Sequence, residues 1–307
     1  MDLFIRYILI GIGNGAVYAA LALALVLIYR TTGLLNLAQG EMALFSAYLS
    51  WWFTTHGVPI GLAIAFSILL SMIGGAVIGR VLIRPVTAPG KSHLNVLIVM
   101  LGMFLAINAI SQLLFSTDAE PMPKPWPSVS SPGDPVGRSA RLLDIGNTSI
   151  SWAVGALALT LIGLCLFLYL LLQKTKLGLA LRAVASNPAS ARMVGINTSA
   201  MLMVGWALAA GIGALAGSMV AADRGSVSPG LMTVVLVYAF AAAALGGFDS
   251  PVGAVVGGMI VAIAESLTIG YVDALSTIEL VVPFALILLV LLVRPTGLFG
   301  RRVVERV

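Results

Sequence analysis

Charge is scarce in this chain. Only 9% of its 307 residues are Asp, Glu, Lys or Arg, against roughly 25% in a typical soluble domain. A water-soluble fold of this size needs far more polar surface, so a soluble enzyme or binding module is excluded. Cysteine is scarcer still. The single Cys165 excludes an internal disulfide. His56 and His93 stand alone, which removes a Cys/His metal set and leaves no nucleophile–base pair. A complete phosphate loop, Gly-x-x-x-x-Gly-Lys followed by Ser or Thr, is also missing. The nearest match, Pro85–Ser92, ends in Gly90-Lys91-Ser92 but has Pro85 for its first glycine. It joins two apolar runs rather than a strand and a helix. The chain therefore has no nucleotide-hydrolysing centre of its own. Outside the apolar runs no stretch is long enough to fold as a domain; the longest, Ser116–Ile150, is rich in Pro and Gly.

What is abundant is hydrocarbon. Hydrophobic residues make up 60% of the chain. A bilayer core about 30 Å thick asks for roughly 20 apolar residues per crossing helix. The candidate spans are Tyr7–Tyr29, Leu34–Phe53, Val58–Ile83, Leu94–Phe115, Ser151–Leu172, Ala200–Ala222, Leu231–Leu245, Val252–Tyr271 and Leu280–Val293. The first is too long for a signal-peptide core and is expected to be retained. The second carries Asn36, Gln39 and Glu41, and the seventh and ninth are short. The expectation is an all-α polytopic membrane protein of 8–10 transmembrane helices, with broken or re-entrant segments among them, forming a single transmembrane domain over residues 1–307.

The net charge of +5 reflects topology rather than nucleic-acid binding. Arg80, Arg84 and Lys91 cluster at the end of the third span and before the fourth. Lys174, Lys176, Arg182 and Arg192 follow the fifth, and Arg294, Arg301, Arg302 and Arg306 the last. These clusters fit the cytoplasmic side. Asp118, Glu120, Asp134, Asp144, Asp223, Asp273 and Glu279 fall in the opposite loops. Nine crossings put the N-terminus outside, and one more or one fewer reverses it. Glycines recur along the first, third, sixth and eighth spans, where small residues let helices approach closely.

Polar groups inside the spans are the candidate functional residues. A carboxylate at mid-depth costs at least about 2.5 kcal/mol, so Glu41 must face other helices, a watery path or the interface. Asn36 and Gln39 are candidate donors to it, and Gly40 permits a helix break. Glu265 is the second such case. A structural network and a path lining both fit these four residues. The short seventh span, bracketed by Pro229-Gly230 and by Gly246–Pro251, reads as a half-helix or a plain hairpin.

The segment between spans five and six, about 174–198, is patterned. Leu177, Leu181 and Val184 share a helical face. Asn187 followed by Pro188 starts a second short helix, and Gly195 suits its end. Two short helices with a sharp corner suggest a docking surface for another protein, with anchoring of Arg182 and Arg192 to anionic lipid as the alternative.

Three stretches together resemble the LivH-type permease subunits of branched-chain amino acid ABC transporters: Gly33–Glu41, Gly178–Asn197, and Ala244–Gly247 with Ser250–Ala254. The ending Val293–Gly300 is similar too. The resemblance runs over essentially the whole chain. It implies a multi-pass permease of the bacterial inner (plasma) membrane, without a cofactor of its own. ATP would be bound by two cytoplasmic subunits, substrate delivered by a periplasmic binding protein, and the bundle completed by a second permease of the LivM type. It implies ATP-driven inward movement of branched-chain amino acids by alternating access. It also places Gly178, Arg182, Ala183 and Gly195 at the ATPase contact and the binding protein on the loops Ser116–Ile150 and Ala222–Pro229. The rival readings are an ABC permease for another small solute (amide, urea or sugar) and an autonomous channel or carrier.

Overall fold

The computed structural model describes residues 2–87, 93–127, 141–145, 148–272, 278 and 280–300. Lys91, Asp134, Asp273, Glu279, Arg301, Arg302 and Arg306 of the charge pattern lie outside them, as do Gly90-Lys91-Ser92 and residues 128–140 and 146–147 of the loop Ser116–Ile150.

Where no water is available, a backbone satisfies its polar groups within a helix, and the apolar runs do so. The helices are α1 Asp2–Thr32, α2 Gln39–Thr55, α3 Ile60–Ile78, α4 Arg84–Val86 and α5 His93–Leu114. They continue with α6 Trp152–Lys174, α7 Lys176–Ser186, α8 Pro188–Met193, α9 Thr198–Arg224, α10 Leu231–Gly246, α11 Pro251–Tyr271 and α12 Val281–Val293. A π-turn over Gly79–Ile83 joins α3 to α4 without interrupting the rod. Six described helices are long and apolar enough to cross a membrane; α10 and α12 are shorter apolar helices. The protein is an all-α polytopic membrane protein. The described strands form two short antiparallel pairs: β1 Glu120–Pro121 with the distant β4 Ser226–Val227, and β2 Arg141–Ile145 with its neighbour β3 Thr148–Ser151. The sequence pattern gave no sign of strands in these loops.

Gly40 was a candidate for the break in the second span, yet it lies in the first turn of α2. The helix stops earlier, at Gly33, whose φ of +72° no other residue type adopts readily. Asn36 then turns the chain by accepting a hydrogen bond from the Ala38 amide at 3.1 Å, which leaves α2 to begin at Gln39.

The described residues pack as two compact units. The first comprises Met1–Val26, Lys124–Ile162 and Val234–Val307; the second, Leu27–Pro123 and Gly163–Thr233. In the first, α1 and α11 touch backbone to backbone: a Cβ on Gly258 would meet the Ala19 backbone at 2.6 Å. After α12 the chain returns to the end of α10. There Leu298 and Phe299 donate their amides to the carbonyls of Leu245 (2.8 Å) and Gly246 (3.0 Å). Two stretches recognised separately in the sequence, Ala244–Gly247 and Val293–Gly300, thus clasp one another.

In the second unit α9 is central. Gly217 lies against the Ala43 carbonyl of α2, and Gly75 of α3 lies against the Trp206 carbonyl. Gly79 makes room for the Trp206 side chain at the π-turn.

Candidate functional site

The buried polar residues of α2 and its entry turn form a connected cluster. Asn36 and Gln39 are fully buried and Glu41 is 1% exposed. Asn36 Nδ2 donates to Gln39 Oε1 at 3.0 Å, and Gln39 Nε2 donates to the Ala209 carbonyl of α9, also at 3.0 Å. Gly213 leaves the space that the Gln39 amide occupies. Asn36 and Gln39 therefore tie the start of α2 to α9 and are not the donors to Glu41. That donor comes from α5: Asn108 Nδ2 reaches Glu41 Oε2 at 2.9 Å, and Gln112 Nε2 supports Asn108 Oδ1 at 2.6 Å. The result is a polar ladder from the buried carboxylate to half-buried Gln112. Asn108 and Gln112 escaped the sequence reading, although two amides four residues apart share one face of an otherwise apolar helix.

Further along α2, hydroxyls replace amides. Ser46 and Ser71 share a hydrogen bond of 2.6 Å, and Ser50 and Ser218 one of 2.7 Å. Each pair joins two helices without introducing charge. Beside the Ser46–Ser71 pair opens a cleft of about 230 Å³, walled by Met42 and Phe45 of α2, Leu70 and Ile78 of α3, and Ile107 and Ile110 of α5. Its lining is almost wholly aliphatic.

Glu265 belongs to the other unit and has its own solution. The Tyr18 hydroxyl donates to Glu265 Oε2 at 2.9 Å. The Tyr18 ring stacks on Tyr238 with centroids 4.7 Å apart and planes 1° from parallel. Neither tyrosine was a candidate from sequence, because an aromatic in an apolar run carries no local mark of its partner.

The segment between α6 and α9 forms two short helices. Thr175 accepts the Gly178 amide at 3.0 Å and caps α7, Asn187 accepts the Ser190 amide at 3.0 Å and caps α8, and Asn197 caps α9 through Ala200 at 3.1 Å. Gly178 is buried against the backbone of Leu171 and Leu172; a side chain there would push α7 off the end of α6. Arg182 is held by Gln173 Oε1 at 2.7 Å. Ala183 is half-buried, and Gly195, at φ +84°, ends the α8 turn. Leu181, Val184 and Ala191 face inward. Three apolar side chains face out: Leu179 (61% exposed), Met193 (81%) and Val194 (76%). The sequence reading named the glycines and arginines of this handle and missed these.

Nothing in these arrangements supplies bond-making chemistry. Among the described residues, no three His, Cys, Asp or Glu side chains gather where a metal ion could sit. Most buried polar groups pair across helix contacts, while Arg182 Nε, Trp206 Nε1 and Ser266 Oγ are buried without a hydrogen bond.

Comparison with known proteins agrees with this picture. The family described as branched-chain amino acid transport system, permease component, matches residues 7–291. The chain is 30% identical to the high-affinity branched-chain amino acid transport system permease protein LivH of Escherichia coli (strain K12), over 99% of this chain and 98% of that protein. It is 29% identical to the corresponding permease protein BraD of Pseudomonas aeruginosa, over the same shares. Similarity extends to the fructose import permease protein FrcC of Rhizobium meliloti, at 26% identity over 76% of this chain and 61% of that one. No solved structure matches.

Proposed function

This chain belongs to the family of permease components of branched-chain amino acid transport systems, and from that membership we infer how its parts serve transport. It is the permease subunit of an ABC importer, a multi-pass protein of the inner membrane and a transport subunit rather than an enzyme. We propose that it moves a branched-chain amino acid inward by ATP-driven alternating access. One observation carries the reading: the family match runs through the polar cluster of α2, the handle and the α10–α11 motif alike.

In this reading residues 1–307 act as one permease domain, and 174–198 is its cytoplasmic coupling loop. A periplasmic binding protein delivers the substrate, a second permease of the LivM type completes the path, and two cytoplasmic subunits bind the ATP. Gly178 and Gly195 set the angles of the handle, and Arg182 and Ala183 pack its inner side. Leu179, Met193 and Val194 then enter a groove on the ATPase, where exposed apolar side chains become the buried anchors of an interface. Asn36, Gln39, Glu41 and Glu265 shape the path by holding its helices in register. The aliphatic cleft beside α2 suits a branched side chain without selecting among Leu, Ile and Val.

The test is purification of the tagged chain with mass spectrometry of what accompanies it, alongside leucine uptake. The ATP-binding subunits, the second permease and ATP-dependent leucine uptake are expected together. Met193→Asp puts a charge at the centre of the proposed contact and should lower both ATPase recovery and uptake by about tenfold or more. Full uptake with this variant overturns the coupling role. Flux in liposomes holding the chain alone, without ATP, overturns the importer mechanism. The similarity to a fructose permease favours one other cargo, so fructose competing with leucine uptake would reassign the substrate to the sugar class.

A further inference from the structure

Beneath the handle lies a second cavity, of about 630 Å³, wholly within the second unit. Its character is opposite to that of the aliphatic cleft. Arg84 enters from α4, Arg192 from α8, Thr31 and Thr32 from the end of α1, and Thr198 and Ser199 from the first turn of α9. No carboxylate lines it. Arg192 Nε donates to Thr198 Oγ1 at 3.0 Å, which fixes that side chain to the wall. Neither arginine has a carboxylate partner among the described residues. The amides of Thr198 and Ser199 open a 27-residue helix, so they lack intrahelical partners and sit at the positive end of its dipole.

We propose that this cavity binds a phosphate-bearing anion. Thr31 and Thr32 spend their hydroxyl protons on carbonyls of their own helix, so the donors are two guanidiniums from different helices, the Thr198 hydroxyl and a helix N-terminus. The three or more free oxygens of a phosphate match them, and arginine forks suit phosphate geometry. A metal cation is ruled out by the two positive charges, and an apolar ligand by the cost of covering unpaired guanidiniums. The cavity lies at helix ends, within reach of phospholipid headgroups as well as soluble phosphates. Its walls come from α1, α4, α8 and α9, so an occupant would brace the handle against the transmembrane helices. The proposal stands apart from the coupling reading, because binding is measured without transport.

The experiment uses the full-length chain in phosphatidylcholine nanodiscs, with and without phosphatidylglycerol. Native mass spectrometry counts retained phosphatidylglycerol, and calorimetry follows inorganic phosphate titrated into the discs that lack it. Saturable binding of at least one probe is expected, weakened about tenfold by Arg84→Gln and again by Arg192→Gln. Retention of phosphatidylglycerol alone identifies a lipid headgroup, whereas phosphate binding identifies a soluble anion. Arg80→Gln removes the same charge one turn away but outside the cavity, and should leave binding unchanged. Equal weakening by Arg80→Gln, equal binding by wild type and the double variant, or no binding of either probe overturns the proposal. Arg84 is exposed, so Arg84→Gln alone decides the matter if the double variant does not fold.

Discussion

Two buried carboxylates confront the same cost in different ways. Glu41 is held by an amide, Asn108, itself backed by Gln112. Glu265 is held by a phenol, Tyr18, whose ring is fixed by stacking on Tyr238. The amide ladder leads outward along α5 to a half-buried end. The tyrosine pair couples its hydrogen bond to a ring stack. An amide satisfies a carboxylate through one bond and then needs a partner for its own oxygen, so amides propagate as chains. A tyrosine hydroxyl gives one proton, and here its ring is fixed by stacking. The two units thus share a problem and differ in the group that answers it, an amide backed by a second amide or a phenol held by a ring stack.

The largest effect should come from the glycine crossings on which both sites rest. Gly217→Val pushes into the Ala43 carbonyl, and Gly258→Val into the Ala19 backbone. Overpacking against side chains costs about 1–3 kcal/mol; here the obstruction is backbone, and each variant is expected to lose its monodisperse elution in detergent. If only one collapses, the two sites do not depend equally on close helix approach. The next effect separates the carboxylates directly. Asn108→Leu should lower stability by about 1–3 kcal/mol, since it strands a buried acceptor. Tyr18→Phe should cost nearer 0.6 kcal/mol, the average for side-chain hydrogen bonds in membrane proteins, because Glu265 keeps a further interaction and the ring stack survives. Thermal unfolding compares them, and equal losses would erase the distinction. Smallest is Glu41→Gln, which keeps an acceptor for Asn108. Its stability is expected to stay within about 0.6 kcal/mol of wild type, so leucine uptake reads the charge itself. Unchanged uptake would leave Glu41 a purely structural role.

The chain carried much of this on its face. Spans five and six, the corner at Asn187-Pro188, the turn at Gly195 and the short helix before Gly246-Gly247 are local matters of length, capping and φ. Each follows from a few adjacent residues, and each was legible. The start of α2 was half legible: a break was expected near Gly40, but the stop falls at Gly33, because Asn36 caps its own turn before the helix resumes. Glu41 was recognised as uncomfortable, yet its donor was sought at Asn36 and Gln39, a few residues away, and found on α5. The exposed faces of Leu179, Met193 and Val194 were invisible for the complementary reason. An apolar residue looks the same in sequence whether it points inward or out.

The sequence by itself determined the solvent. With so few charges and so many long apolar runs, only a bundle of helices within a bilayer satisfies its backbone, and hydrogen bonds within helices are set by residues close in the chain. Which helix supplies the partner for a buried amide, which glycine admits a neighbouring backbone, and which arginines converge on one cavity were decided by tertiary structure alone. Those choices join residues tens to hundreds of positions apart, and no local preference distinguishes one distant partner from another until the helices have packed.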